Sequence, residues 1–268
     1  RASRSGGKES MTSSPAPCLL AANWKMNMDH LRTLDFLRQL SLLLPEERVW
    51  KAGVEMAIFP PFTSLRTAQV FSNSYRLPIS LGAQDVSPHE CGAFTGEVSA
   101  SMLEKLGCRY VLVGHSESRK NHHETREELV GKVKRSISSS MIPVLCVGEK
   151  EKGEEDWEEI TSQAGEVFCD LEPEEREKVI VSYEPVWAIG SSMTASPDRI
   201  SRATLALKGK MQEKFGLCPR ILYGGSVNEG NIDSLMGLGL GGFLVGHASL
   251  NPAEFATIFQ RLAEEGSR

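Results

Sequence analysis

From Cys18 onward, short apolar runs alternate with longer amphipathic stretches. Eight of the runs read as buried strands, at 18–24, 54–60, 79–85, 109–115, 142–149, 179–185, 220–226 and 241–247. Their near-continuous apolarity implies cover on both faces, hence a parallel sheet flanked by helices. The stretches between them carry helical spacing. Residues 30–44 place Leu31, Leu34, Leu37, Leu40 and Leu44 on an expected core stripe. Thr125, with Glu128 three residues later, marks a helix start over 125–140, and Ser196-Pro197 marks another over 196–216. Residues 156–171 and 253–265 have the same character. Eight such units in series, with no linker between them, predict an α/β fold: a single-domain (β/α)₈ barrel over residues 18–268.

Residues 1–17 stand apart, being rich in Arg and Ser, poor in acids and without an apolar signal segment. They read as an extension outside the fold: the remainder of a transit peptide, a scar of recombinant expression, or a ragged leader before Met11. No apolar run reaches the roughly 18–20 residues that would span a bilayer. The net charge of -5 gives no basic footprint for nucleic acid, which leaves small molecules and protein as expected partners. Six cysteines without CxxC pairs read as unpaired thiols in a reducing compartment, cytoplasm or plastid. The acidic run 149–159 reads as a solvated loop and helix start.

In such a barrel, polar residues at the carboxyl ends of strands face the active site. Four strand ends carry them: Asn23 and Lys25 on the first, His115 and Glu117 on the fourth, Glu184 on the sixth, and Gly224-Gly225-Ser226 on the seventh. Each has an ordinary reading as a solvated ion or a turn. Together they form a constellation with a mechanism. Glu184, fixed by Pro185, suits a base that removes a proton beside a carbonyl. His115 suits a donor to the enediolate oxygens, with Lys25 and Asn23 adding a cation and an amide. Glycine turns after strands seven and eight suit a phosphate handle.

Longer stretches carry a resemblance: NWKMN (23–27), GAFTGE (92–97), VLVGHSE (111–117), CVGE (146–149), YEPVWAIG (183–190), YGGSV (223–227) and FLVGHASL (243–250). In these the chain resembles the triosephosphate isomerase family, from about Cys18 to the last helix. The resemblance implies a TIM barrel that interconverts glyceraldehyde 3-phosphate and dihydroxyacetone phosphate without metal or organic cofactor. It implies Glu184 as base, His115 as electrophile, Lys25 with Asn23 as electrostatic clamp, and Glu117 as the residue that orients Lys25. Residues 185–195 would be a lid, Gly190 would offer an N–H to phosphate, and Tyr223 and Ser226 would latch the closed lid. Gly246 and His247 would sit at the second phosphate turn. GAFTGE resembles a loop that docks into a neighbouring subunit, which implies a homodimer with Thr95 and Glu97 crossing the interface.

The chain departs from the family pattern at four positions. Ser192 and Met193 stand in the lid where glycine and lysine are usual, His247 stands where a second glycine is usual, and Ser118 replaces a common arginine, with Arg119 beside it. If the turn at 247 needs a left-handed residue, His247 brings strain; its imidazole either crowds the phosphate or, protonated, assists it. These departures leave open a catalytically weakened barrel with a binding or structural role. A Schiff-base aldolase is the other alternative, but it wants a desolvated lysine inside the barrel, and no strand supplies one. His122, His123 and Glu124 lack partners at ligand spacing and read as no metal site. Cys146 reads as core, and Cys91 as a thiol near the interface loop.

Overall fold

The computed structural model describes residues 16–44, 50, 53–153, 155–190 and 193–266. Of the expected extension over 1–17, only Ala16 and Pro17 fall within the described residues.

The eight strands are β1 (Cys18–Asn23), β2 (Val54–Phe59), β3 (Ile79–Ala83), β4 (Cys108–Val113), β5 (Ile142–Val147), β6 (Ile180–Tyr183), β7 (Ile221–Tyr223) and β8 (Gly242–Val245). They close in chain order, every neighbouring pair parallel, with β8 returning to β1. The two-residue period of a strand sorts side chains into two shells. Leu19, Ala21, Phe59, Tyr110, Leu112, Val144, Ile180, Leu222 and Leu244 fill the barrel interior. Leu20, Ala22, Ile58, Val111, Val181 and Val245 face outward and pack with the helices.

Every expected strand runs one to three residues past the end of its hydrogen-bonded ladder. The overshoot is informative, because it includes residues that line the barrel mouth: His115, Glu184, Ser226 and His247 among them. Periodicity continues into these residues although the ladder has stopped.

The helix starts hold where a cap was legible. Thr125 accepts the N–H of Glu128 while Glu128 accepts the N–H of Thr125, a complete capping box on Arg126–Ser138. Ser196 caps Pro197–Phe215, and Gly216 ends it in a left-handed turn at φ 66°. The core stripe of His30–Leu43 needs correction. Thr33, Phe36, Leu37 and Leu40 are buried, whereas Leu31 and Leu34 are 64% and 40% exposed. Both lie well round the helix from the buried face centred on Leu40, so spacing between leucines alone picked the wrong edge. Among the described residues no helix is long and apolar enough to cross a membrane.

Candidate active site

Three strand ends converge on the barrel mouth. At the end of β1, Asn23 is buried and its Oδ1 accepts the backbone N–H of Lys25 at 3.1 Å. This brace holds Lys25 in the left-handed region at φ 53°, a conformation that costs an L-residue about 1–2 kcal/mol. Gln84 adds a second brace, donating to the Lys25 carbonyl at 2.9 Å. The strained backbone aims the Lys25 ammonium inward, where it pairs with Glu117 Oε1 at 2.7 Å.

His115 caps the short helix Ser116–His122, its Nδ1 accepting the N–H of Glu117 at 3.2 Å. An acceptor at Nδ1 carries no proton, so the ring is held as the tautomer with its proton on Nε2. That nitrogen lies 3.2 Å from Glu184 Oε2.

Glu184 follows β6 and is 2% exposed. Burial pushes its carboxyl above the ordinary value, while His115, Lys25, Ser182 and Cys146 pull the other way without cancelling it. Oε2 has no hydrogen-bond partner among the described residues. Two glycines make room for this residue. A Cβ at Gly224 would stand 2.5 Å from the Glu184 Cγ, and one at Gly148 would stand 1.7 Å from its carbonyl oxygen.

A cavity of about 560 Å³ joins Asn23, Lys25, His115 and Glu184 to Gly190, Ser226, Gly246 and His247. One end is therefore cationic and carboxylate-bearing, and the other is built of glycine turns. Gly190 has a left-handed backbone at φ 66°. His247 opens the 3-10 turn His247–Leu250 and is exposed, and it is not among the residues with a left-handed backbone. The strain expected at that position is absent, since the turn does not demand a glycine.

Known proteins match this chain in sequence over almost its whole length. The family model described as Triosephosphate isomerase matches residues 18–262. The chain belongs to the triosephosphate isomerase family. It is 43% identical to the triosephosphate isomerase of Saccharopolyspora erythraea over 248 residues, covering 90% of this chain and 94% of that one. It is 42% identical to that of Bifidobacterium longum over 258 residues, covering 93% and 96%, and 41% identical to that of Streptomyces avermitilis over 248 residues, covering 90% and 95%.

Within this triosephosphate isomerase family fold, the sequence reading overlooked one hub. Glu149 heads the acidic run expected to be solvated, yet it is 5% exposed. Its Oε1 accepts from the Tyr183 hydroxyl at 3.0 Å, the Trp187 indole at 2.9 Å and Arg199 Nη2 at 3.1 Å. The Arg199 guanidinium lies over both the Trp157 and Trp187 rings. Burial, with the nearby Glu149 charge, pushes the Tyr183 phenol up. Glu149 closes the apolar run 142–149 at a strand mouth, as Glu184 does near the end of the next one, and that was the signal available in the sequence.

Tyr223 is fully buried, and its hydroxyl has no hydrogen-bond partner among the described residues. Thr95 and Glu97 lie in an exposed loop, with Glu97 also accepting from Ser87 Oγ of the same chain. Arg119 ties the ends of β4 and β5 together, donating to the carbonyls of Gly114 at 2.7 Å and Cys146 at 3.0 Å. Ser192 lies outside the described residues, and Met193 is 46% exposed. Glu124 is buried and pairs with Lys132, which also holds Asp85. All six cysteines are unpaired, Cys146 buried in the barrel interior and Cys91 exposed.

Proposed function

We propose that the chain interconverts glyceraldehyde 3-phosphate and dihydroxyacetone phosphate by moving a proton between adjacent carbons. The observation that carries this reading is the 3.2 Å approach of a buried carboxylate with a raised pKa, Glu184, to the protonated Nε2 of His115. Glu184 takes the proton from the carbon beside the carbonyl. His115 Nε2–H donates to the oxygen that gathers charge, and a neutral imidazole both gives and regains that proton as the enediolate passes it between its two oxygens. Lys25 places a fixed positive charge beside the same oxygens, with Asn23 holding its backbone and Glu117 its ammonium. The substrate phosphate lies at the far end of the cavity against the backbone of Gly190, Ser226, Gly246 and His247. No step uses a metal or an organic cofactor.

Residues 185–195 form the lid, which keeps water from an intermediate that can shed phosphate. Support comes from its start, where the Trp187 indole is tied to Glu149. We assign the reaction to a reducing compartment, cytoplasm or plastid, on the strength of six unpaired thiols.

The active unit is a homodimer in this reading. The loop 92–97 is exposed along its length, and His89 stacks on Phe94 at 3.7 Å to hold its shape. A groove of about 280 Å³ beside the site is lined by Lys25, Met26, Phe62, His115 and Glu117, and Met26 in it is 96% exposed. Docking Thr95 and Glu97 of a second copy into that groove covers the exposed Met26 and braces Lys25 and His115.

The test is a coupled assay of the purified protein with glyceraldehyde 3-phosphate, run beside Glu184→Asp. Turnover that falls steeply in the variant supports the reading. A folded wild-type protein with no turnover above the free-solution rate overturns it.

A further inference from the structure

Strand β6 turns Ile180 and Ser182 toward the barrel axis, and Glu184 continues the alternation at the mouth. Ser182 is level with Cys146 on β5 and Leu222 on β7, inside a layer otherwise built of apolar side chains. It is 0% exposed. A hydroxyl buried among such neighbours is costly unless it finds an acceptor. Its acceptor is Glu184 Oε1, at 3.3 Å. The two oxygens of the base are thereby made unequal, since Oε2 has no hydrogen-bond partner and faces His115 Nε2.

We infer that Ser182 is a positioning residue: its hydroxyl holds Glu184 Oε1 so that Oε2 is the oxygen presented to the substrate proton. The inference rests on Glu184 being the base. Holding one oxygen fixes the rotation of the carboxylate about its last bond, which apolar walls alone leave loose. It also adds a donor to the ionised form, which opposes the effect of burial. The other groups that face Glu184 come from separate elements: Lys25 after β1, His115 after β4, Arg119 on the helix Ser116–His122, and Cys146 on β5. They remain when Ser182 is changed. A contact of 3.3 Å is also long for a hydroxyl donor, so the effect is a modest one.

The experiment compares kcat and KM against pH for the full chain, Ser182→Ala and Ser182→Thr. Ser182→Ala is expected to lower kcat about fivefold with KM unchanged. It also moves the acidic limb of kcat/KM to higher pH, because the carboxylate loses a donor. Ser182→Thr keeps the hydroxyl and returns the limb toward the wild-type position. A Ser182→Ala profile that superimposes on wild type overturns the inference, as does an equal loss in both variants with an unmoved limb, which signals packing alone. If Ser182→Ala does not fold, Ser182→Cys keeps the shape with a weaker donor, and an unmoved limb there is equally fatal. Absence of turnover in the folded wild type instead overturns the assignment of Glu184, so the two failures are distinguishable.

Discussion

Glu184 Oε2 lies 3.2 Å from His115 Nε2 and yet has no hydrogen-bond partner among the described residues. The native fold thus holds a buried carboxylate whose ionisation it opposes, which has a consequence for stability. A carboxyl whose folded pKa is above its unfolded one binds more protons in the native state between those two values. Its stability contribution is therefore intact below the unfolded pKa and is lost as pH rises through the window to the folded one. Glu184→Gln, which cannot ionise, should abolish turnover and raise Tm at neutral pH. The gain should shrink toward zero as pH falls below the ordinary carboxylate range. Thermal unfolding of both proteins over that range checks it, and a gain that does not change with pH would contradict the raised pKa.

The Glu149 hub predicts a different kind of loss. Glu149 and Arg199 are both nearly buried, and removal of one leaves the other charged in an apolar setting. Glu149→Ala should cost about 3–5 kcal/mol in urea unfolding. Adding Arg199→Met should recover much of that, because no buried charge is then left alone. Since Trp187 loses its contact with the Glu149 carboxylate in both proteins, turnover should stay depressed in the stability-restored double variant. Recovery of full activity would mean that this indole contact has no part in setting the lid.

Gly224 tests how tightly Glu184, the proposed base, is seated. A methyl there meets Glu184 Cγ at 2.5 Å, closer than carbon atoms approach, and the side chain of the base must swing away. Gly224→Ala should reduce kcat by more than tenfold, on the order of what a misplaced catalytic group costs. The circular dichroism spectrum should be unchanged, because Gly224 lies past the end of β7. A Gly224→Ala protein with wild-type kcat would show that Glu184 is not held where the chemistry needs it.

The dimer is tested through Met26. A thioether that is 96% exposed beside Lys25 is unfavourable in a monomer and useful under a docked loop. Met26→Lys places a charge in the groove, and sedimentation velocity should show a shift from dimer to monomer with activity falling alongside. Monomeric wild-type protein at full activity would remove the role proposed for Thr95 and Glu97.

What the sequence revealed of this molecule follows from the range of the physics involved. The eight strands were legible because apolar runs of strand length report burial locally, and the capped helix starts were legible because Thr125 with Glu128, and Ser196 with Pro197, act within one turn. Lys25, His115 and Glu184 could be grouped only by assuming the barrel that brings their strands together. Glu149 was not legible. It stands at the head of an acidic run, and its burial depends on Arg199, fifty positions later, and on two tryptophan rings that the linear pattern does not join. Leu31 and Leu34 failed for the opposite reason. They fit a local stripe, but the face that meets the neighbouring helices is chosen by Phe36, Leu37 and Leu40.

His247 remains the residue where this chain differs most pointedly at the end of the cavity proposed to hold phosphate. Its backbone is not left-handed, so glycine is not required there for conformation, and the N–H proposed to meet phosphate is present with either residue. What the imidazole changes is room beside Gly190 and Ser226, since it takes space at the rim of the cavity. His247→Gly should therefore lower KM severalfold and leave kcat unchanged. Equal KM values for the two proteins would show that the side chain points away from the bound substrate.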